Sequence, residues 1–210
     1  MNSKWIVITT SLTVLLLSGC ATMSGDECVT SDWHAIGFED GSRGYSADRL
    51  GNHRKACAKH GVTPDFQAYQ TGHDQGLERF CIPSRGFSLG SNGGSYNGVC
   101  AAHREGDFID AYNSGYHLHN LRSRVNSASS QISHKQNELE NNNEAMKDKE
   151  VALIAADTSI EDRIRILADL KDLAETNGQL DAEIDQLIHE RAEHRHELES
   201  YEAMLADSGY

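Results

Sequence analysis

From residue 118 onward the chain places an apolar side chain at every seventh position: Leu118, Val125, Ile132, Leu139, Met146, Leu153, Ile160 and Leu167. Two turns of an α-helix take about 7.2 residues, so a repeat of seven keeps returning to one face. A column this long requires long helices joined along an apolar seam. The companion column is weaker, running Leu121, Ala128, Lys135, Asn142, Lys149. Later residues follow a second register, Leu173, Leu180, Leu187, His194 and Tyr201 beside Asn177, Ile184, Arg191, Leu198 and Leu205. The registers change at residues 155–159, where Thr158 and Ser159 each have an acid three residues on, a capping-box signature. This predicts an antiparallel coiled-coil hairpin with helices over 103–156 and 159–206. Its core is expected to be Leu118, Val125, Ile132, Leu139, Met146 and Leu153 against Leu180, Ile184, Leu187 and Leu198. Ile132 should face Ile184, and Leu118 should face Leu198. A single rod to residue 206 is the competing arrangement. Two helices leave their outer faces bare, so a third helix from a partner or a second copy is expected.

The N-terminus has a different character. Lys4 precedes the apolar run Trp5–Leu17, which is too short to span a bilayer and fits a signal peptide. The following Leu17-Ser18-Gly19-Cys20 resembles the lipobox of bacterial lipoproteins. The resemblance implies cleavage after residue 19 and acylation of Cys20, with 20–27 as a lipidated tether to the membrane. Ala21, rather than an acid, follows the cysteine, which in that class implies the outer membrane, facing the periplasm. The formal net charge is −13. Such a chain repels nucleic acid and anionic headgroups, so neither is an expected partner.

Four further cysteines, Cys28, Cys57, Cys81 and Cys100, all lie in the first half. In an exported chain they read as two disulfides with three possible connectivities. Helices are expected from Asp32 to Arg43, from Ala47 to Lys59, and from Thr63-Pro64-Asp65 to Cys81. Residues 82–100, rich in glycine and serine, read as a loop turning near Gly93-Gly94. An antiparallel pair of the first two helices favours Cys28–Cys57 and leaves Cys81–Cys100. Trp33, Gly37 and Gly41 share one helical stripe, extended by Gly44; Tyr69, Gly72 and Gly76 share another, extended by Phe80; Tyr112 and Gly115 begin a third. Glycines on one face let helices approach closely, so the stripes are read as packing surfaces rather than as a phosphate loop. The domains are therefore 28–115, Cys/Gly-rich, and 116–210, the hairpin.

The series Cys28, Asp32-Trp33, Gly37–Gly41, Cys57, Tyr69–Cys81, Gly98-Val99-Cys100 and Tyr112–Gly115 resembles a family of bacterial lipoproteins known as domain of unknown function 2799. The resemblance covers about residues 26 to 116. It implies an exported, lipid-anchored, disulfide-bonded domain and assigns no catalytic residue. Histidines beside acids, His73-Asp74 with Glu78 and His34 with Glu39 and Asp40, have the parts of an acid–base pair. No catalytic or metal-binding motif supports them, and His189 with Glu193 makes only two ligands. No cofactor or metal is expected. The expected function is that of a non-enzymatic envelope scaffold or adaptor, acting through its arm on an envelope protein or on itself. The alternative is a cell-wall-active enzyme or carbohydrate-binding module in the disulfide domain.

Overall fold

The computed structural model describes residues 23–208, so Cys20 and the residues before it lie outside the described part. Every regular element among the described residues is helical. The helices are α1 (Gly25–Thr30), α2 (Trp33–Ser42), α3 (Leu50–Ala58, preceded by a 3₁₀ turn at Ala47–Arg49), α4 (Phe66–Phe80), α5 (Pro83–Ser91), α6 (Ala102–Ile154) and α7 (Ile160–Asp207). None is long and apolar enough to cross a bilayer. The chain divides into two compact units, one ending at Gly76 and one beginning at Leu77.

In the first unit, part of the expected tether is helical. Ser24 caps α1, with its side chain on the Glu27 N–H and the Glu27 carboxylate back on the Ser24 N–H at 2.7 Å. This reciprocal capping box satisfies two otherwise orphaned donors. It is α1, not α2, that presents Cys28 to Cys57 of α3, with Cα atoms 5.5 Å apart. The small core gathers this disulfide with Trp33 and Tyr69. Gly44 does not continue the α2 stripe: at φ 74° it ends the helix, as a left-handed residue after the C-cap. Likewise α4 starts at Phe66 rather than at Pro64, because Asp65 is its cap, accepting the Ala68 N–H at 3.0 Å.

The α2 and α4 stripes meet backbone to backbone. A methyl group on Gly37 would strike the Tyr69 carbonyl, one on Gly72 the His34 carbonyl, and one on Gly76 the Phe38 carbonyl. Bare helix faces meet each other here.

The second unit repeats this device where a loop is expected. Residues 83–91 form α5, with Pro83 in its first turn, where a missing N–H costs nothing. Gly86 and Gly90 of α5 lie against the carbonyls of Phe108 and Tyr112 on α6, and Gly115 of α6 lies against that of Phe87. The composition of 82–100 imitates a loop because the same residue type serves turns and close helix contacts. The chain does turn at Gly93, at φ 72°. Cys81 and Cys100 are bridged beneath Phe80 and Phe108, with Cα atoms 5.6 Å apart. Closing loops of 29 and 19 residues, the two bridges each stabilise the fold by about 3 kcal/mol on a chain-entropy argument.

Beyond the disulfide, α6 and α7 form the antiparallel hairpin. Ile132, Ile184 and Leu187 form its buried centre with Leu139 alongside, and Leu118, Leu121, Ala128, Leu180 and Leu205 are also buried. Val125, Met146, Leu153 and Leu198 are only half-buried, as expected for two helices without a third. The pairs Arg122–Glu202, Arg124–Glu197, Lys135–Glu183 and Lys149–Asp169 join the two helices. Exposed pairs stabilise little, but four in sequence reinforce one alignment. Ile160 and Leu167 leave the column of sevens and are 74% and 54% exposed. The turn resets the register, so that Arg163, Ile166 and Leu170 take the inward positions.

Arg163 locks that turn. Its guanidinium donates to the carbonyls of Leu153 and Ala155 at 2.5 and 2.7 Å, and its Nε–H donates to Thr158 at 3.2 Å. A cation on the free carbonyls of a helix C-terminus also complements the helix dipole. Ser159 caps α7 by accepting the Asp162 N–H at 3.1 Å. Replacing Arg163 with alanine should lower the local opening free energy of residues 152–160 by about 1–3 kcal/mol, since hydrogen bonds to charged groups carry that much. Amide hydrogen exchange measures it.

Glycine substitutions should separate by environment. A methyl on Gly178, in the middle of α7, meets nothing within 4 Å. Gly178→Ala should therefore stabilise by about 0.5–1 kcal/mol through helix propensity. Gly115→Ala forces α5 from α6 and should cost about 1–3 kcal/mol or more. Opposite shifts in thermal midpoint of the intact chain are the expected readout.

Candidate functional site

The most densely connected polar group in the first unit is Asp40, 5% exposed although it carries a carboxylate. It lies seven residues after Trp33, so the helical period turns both inward on α2. A buried carboxylate is tolerated only when paired and hydrogen-bonded. Tyr69 of α4, fully buried, donates its hydroxyl to Oδ2 at 2.9 Å. His53 of α3 places Nε2 3.0 Å from the same oxygen. Arg49 brings Nε to 2.9 Å from Oδ1, but the N–H is not aimed along a hydrogen bond, so this contact is ionic. The Arg49 guanidinium also lies over the Tyr45 ring, 4.0 Å from its centre, a cation–π contact.

Rings surround the carboxylate. Trp33 and Tyr69 flank His53 at centroid distances of 6.3 and 6.1 Å, and His73 stacks on Tyr69 at 5.9 Å. His73 contacts the Tyr45 carbonyl through Nε2 at 2.8 Å, while its buried Nδ1 has no hydrogen-bond partner. Bonding a carbonyl through Nε2 makes that nitrogen the donor. Burial raises the Tyr69 phenol above its ordinary value near 10, and the Asp40 carboxylate raises it further by hydrogen bond and charge; the Arg49 charge opposes them.

The sequence candidates are distributed differently from their order in the chain. Asp40 does meet a histidine, but His53 rather than His34, and Glu39 instead pairs with Arg43 at the surface. Of the other set, His73 is buried, whereas Asp74 is exposed and accepts from Gln70 at 2.8 Å. Glu78 lies five residues from His73, off its helical face, and its carbonyl accepts from Arg104 at 3.1 Å. His189 and Glu193 stand 3.8 Å apart, both exposed. Among the described residues no three metal-ligating side chains converge, and the four cysteines there are all in disulfides. The roles of Arg49, His53 and Tyr45 were not visible from the motifs. The usable signal was Asp40 itself, an acid on a stripe otherwise made of Trp33, Gly37 and Gly41.

Chemically this is a lock. Its two carboxylate oxygens contact groups on three different elements, which ties α2, α3 and α4 together. An open groove of about 370 Å³ lies elsewhere on this unit, lined by residues including Asp48, Arg54, Pro64 and Phe66, the last 64% exposed. It contains none of the locked residues.

The fold thus defines a class: an all-helical chain in which each of two units holds a disulfide and glycine contacts between helices, the second unit carrying an antiparallel hairpin. Residues 32–117 match a family model described as protein of unknown function, DUF2799. Comparison with curated proteins and with solved structures finds no match. The matched segment runs through Asp40, Tyr69, Cys57, the second disulfide and Gly115. It stops one residue before Leu118, the first seam residue of the hairpin.

The lock has a pH signature. A phenol whose folded value is raised contributes stability that is complete below about pH 10 and is lost as pH climbs above it. Tyr69→Phe should cost about 1–3 kcal/mol at neutral pH, by leaving Asp40 one donor short. It should also flatten the loss of stability above pH 10 relative to the native chain. Denaturant titrations at pH 7 and pH 11 check both effects.

Proposed function

We propose that the chain is a lipid-anchored cell-envelope protein that works as a non-enzymatic scaffold or adaptor, with the hairpin as its interaction arm. The observation that carries this reading is the arm itself. Two helices of 53 and 48 residues pair through a narrow, partly polar seam and leave most of their length available to a partner. Polar seam positions such as Asn142 and Asn177, hydrogen-bonded at 3.0 Å, lower stability while favouring one alignment. The buried Asp40 network supports the non-enzymatic half of the reading, since its carboxylate is engaged by Tyr69, His53 and Arg49 of the same chain.

Anchoring is proposed from the Leu17-Ser18-Gly19-Cys20 motif. Acylation at sulfur and at the new N-terminus would supply more than the single chain that gives only marginal membrane binding. Placement in the outer membrane, facing the periplasm, rests on Ala21. Cys20→Ala should abolish incorporation of labelled palmitate and move the processed chain from the membrane to the soluble fraction. Continued labelling of that variant would show that the anchor assignment is wrong.

A further inference from the structure

The outside of the hairpin tip is apolar. Val151 and Ile154 at the end of α6, and Ile160, Ile164 and Leu167 at the start of α7, are 54–79% exposed. Spacings of four and three set Ile160, Ile164 and Leu167 in one stripe beside the seam. Ile154 follows the seam residue Leu153 as Ile164 follows Arg163. In an antiparallel pair these flanking positions fall on the same side, so the two helices build one patch.

Such a patch exposes on the order of 500 Å² of apolar surface, the upper end of what a monomer leaves uncovered. Two copies meeting there would bury on the order of 1,000 Å², the threshold of a specific interface. Charge selects the same occupant. Across residues 147–171 acids and bases nearly balance, whereas the rest of α7 is overwhelmingly acidic. Two copies would repel along most of α7 but not at the tip. Lys171 continues the stripe one turn past Leu167, seven residues after Ile164; Asp157 lies seven residues before it. Neither makes an ion pair among the described residues. If the α7 helices of two copies crossed antiparallel at Ile164, each Lys171 would run toward the turn of the other copy, which carries Asp157.

We propose that the hairpin tip is a homodimerisation surface, in which α7 of one copy packs antiparallel against α7 of a second about Ile164. This names the arm's partner and so rests on the reading of the hairpin as an interaction element. With acids and bases nearly balanced, the tip offers an anionic membrane no basic cluster to hold it.

The test uses the full chain purified in detergent, with protein mass determined by sedimentation. The native chain should have twice the mass of one copy. Ile164→Glu combined with Leu167→Glu should give a monomer of unchanged helical circular dichroism, and Met204→Glu should remain dimeric. Ile164→Cys should form a disulfide-linked dimer across the symmetry axis, whereas Met204→Cys should not. A native monomer at tens of micromolar, or a dimer indifferent to the double substitution, would overturn the proposal. So would a native monomer that binds phosphatidylglycerol vesicles through the tip, or in-cell crosslinking at residue 164 to a different polypeptide with no self-product. Those last two outcomes leave the reading of the arm as an interaction element standing. Failure of the anchor would be read separately, from Cys20→Ala fractionation, and does not alter the mass of the purified chain.

Discussion

Direct contact between helix backbones is the constraint on which the disulfide-bonded region depends. Gly37 and Gly72 each lie against a carbonyl of the opposing helix, and Gly86, Gly90 and Gly115 do the same between α5 and α6. At these positions even a methyl group has no room. Each interior glycine gives up about 1 kcal/mol of helix propensity, which close backbone packing has to offset. The arrangement makes short helices pack without large side chains between them. It suits a region with few large aliphatic residues, and it leaves the disulfides to restrict the unfolded state.

Within that frame the polar groups fix which helices meet. Asp40 reaches Tyr69 on α4, His53 on α3 and Arg49 in the preceding 3₁₀ turn. Leaving any of these unpaired in a buried setting costs more than the pairing gains, so the network penalises alternative packings more than it adds net stability. A comparable though smaller device operates in the second unit. There the Tyr96 hydroxyl donates to Glu105 at 3.0 Å and accepts the Cys100 N–H at 3.0 Å. Burial, reinforced by the Glu105 carboxylate, raises that phenol too, against the opposing effect of the Cys100 bond. Polar contacts of this kind specify how small cores pack.

The hairpin follows another logic. Its seam alternates apolar layers, such as Ile132 with Ile184, with polar ones, such as Asn142 with Asn177. Such a seam gives up hydrophobic stabilisation for a defined alignment. Near its base Tyr201 donates to the Ser114 carbonyl at 3.0 Å and packs edge-on against His117, fastening the end of α7 beside the start of the seam. At the other end the apolar side chains turn outward, and the surface there is incomplete as a solvated helix face.

Periodicity made the long helices legible, since a repeat of seven over dozens of residues demands an apolar helical seam, and the reset at residues 155–159 favoured a hairpin over a single rod. The spacing of Gly37, Gly72, Gly76 and Gly115 likewise announced close helix contact, because a shared face is a property of the local helix alone. Short-range signals that were present but weaker include the Ser24–Glu27 capping box of α1 and Asp65 as the cap of α4. Helix α5 was hidden because glycine and serine mark both loops and close-packed helices, and only the presence of α6 across Gly86 and Gly90 distinguishes the two. The lock at Asp40 and the capping by Arg163 were decided by tertiary structure. Each joins groups that are distant in sequence or separated by a turn, and the free energy of a buried charge depends on which partners the folded chain brings to it. A one-dimensional pattern determines which faces are apolar, but not what those faces and their polar neighbours will meet.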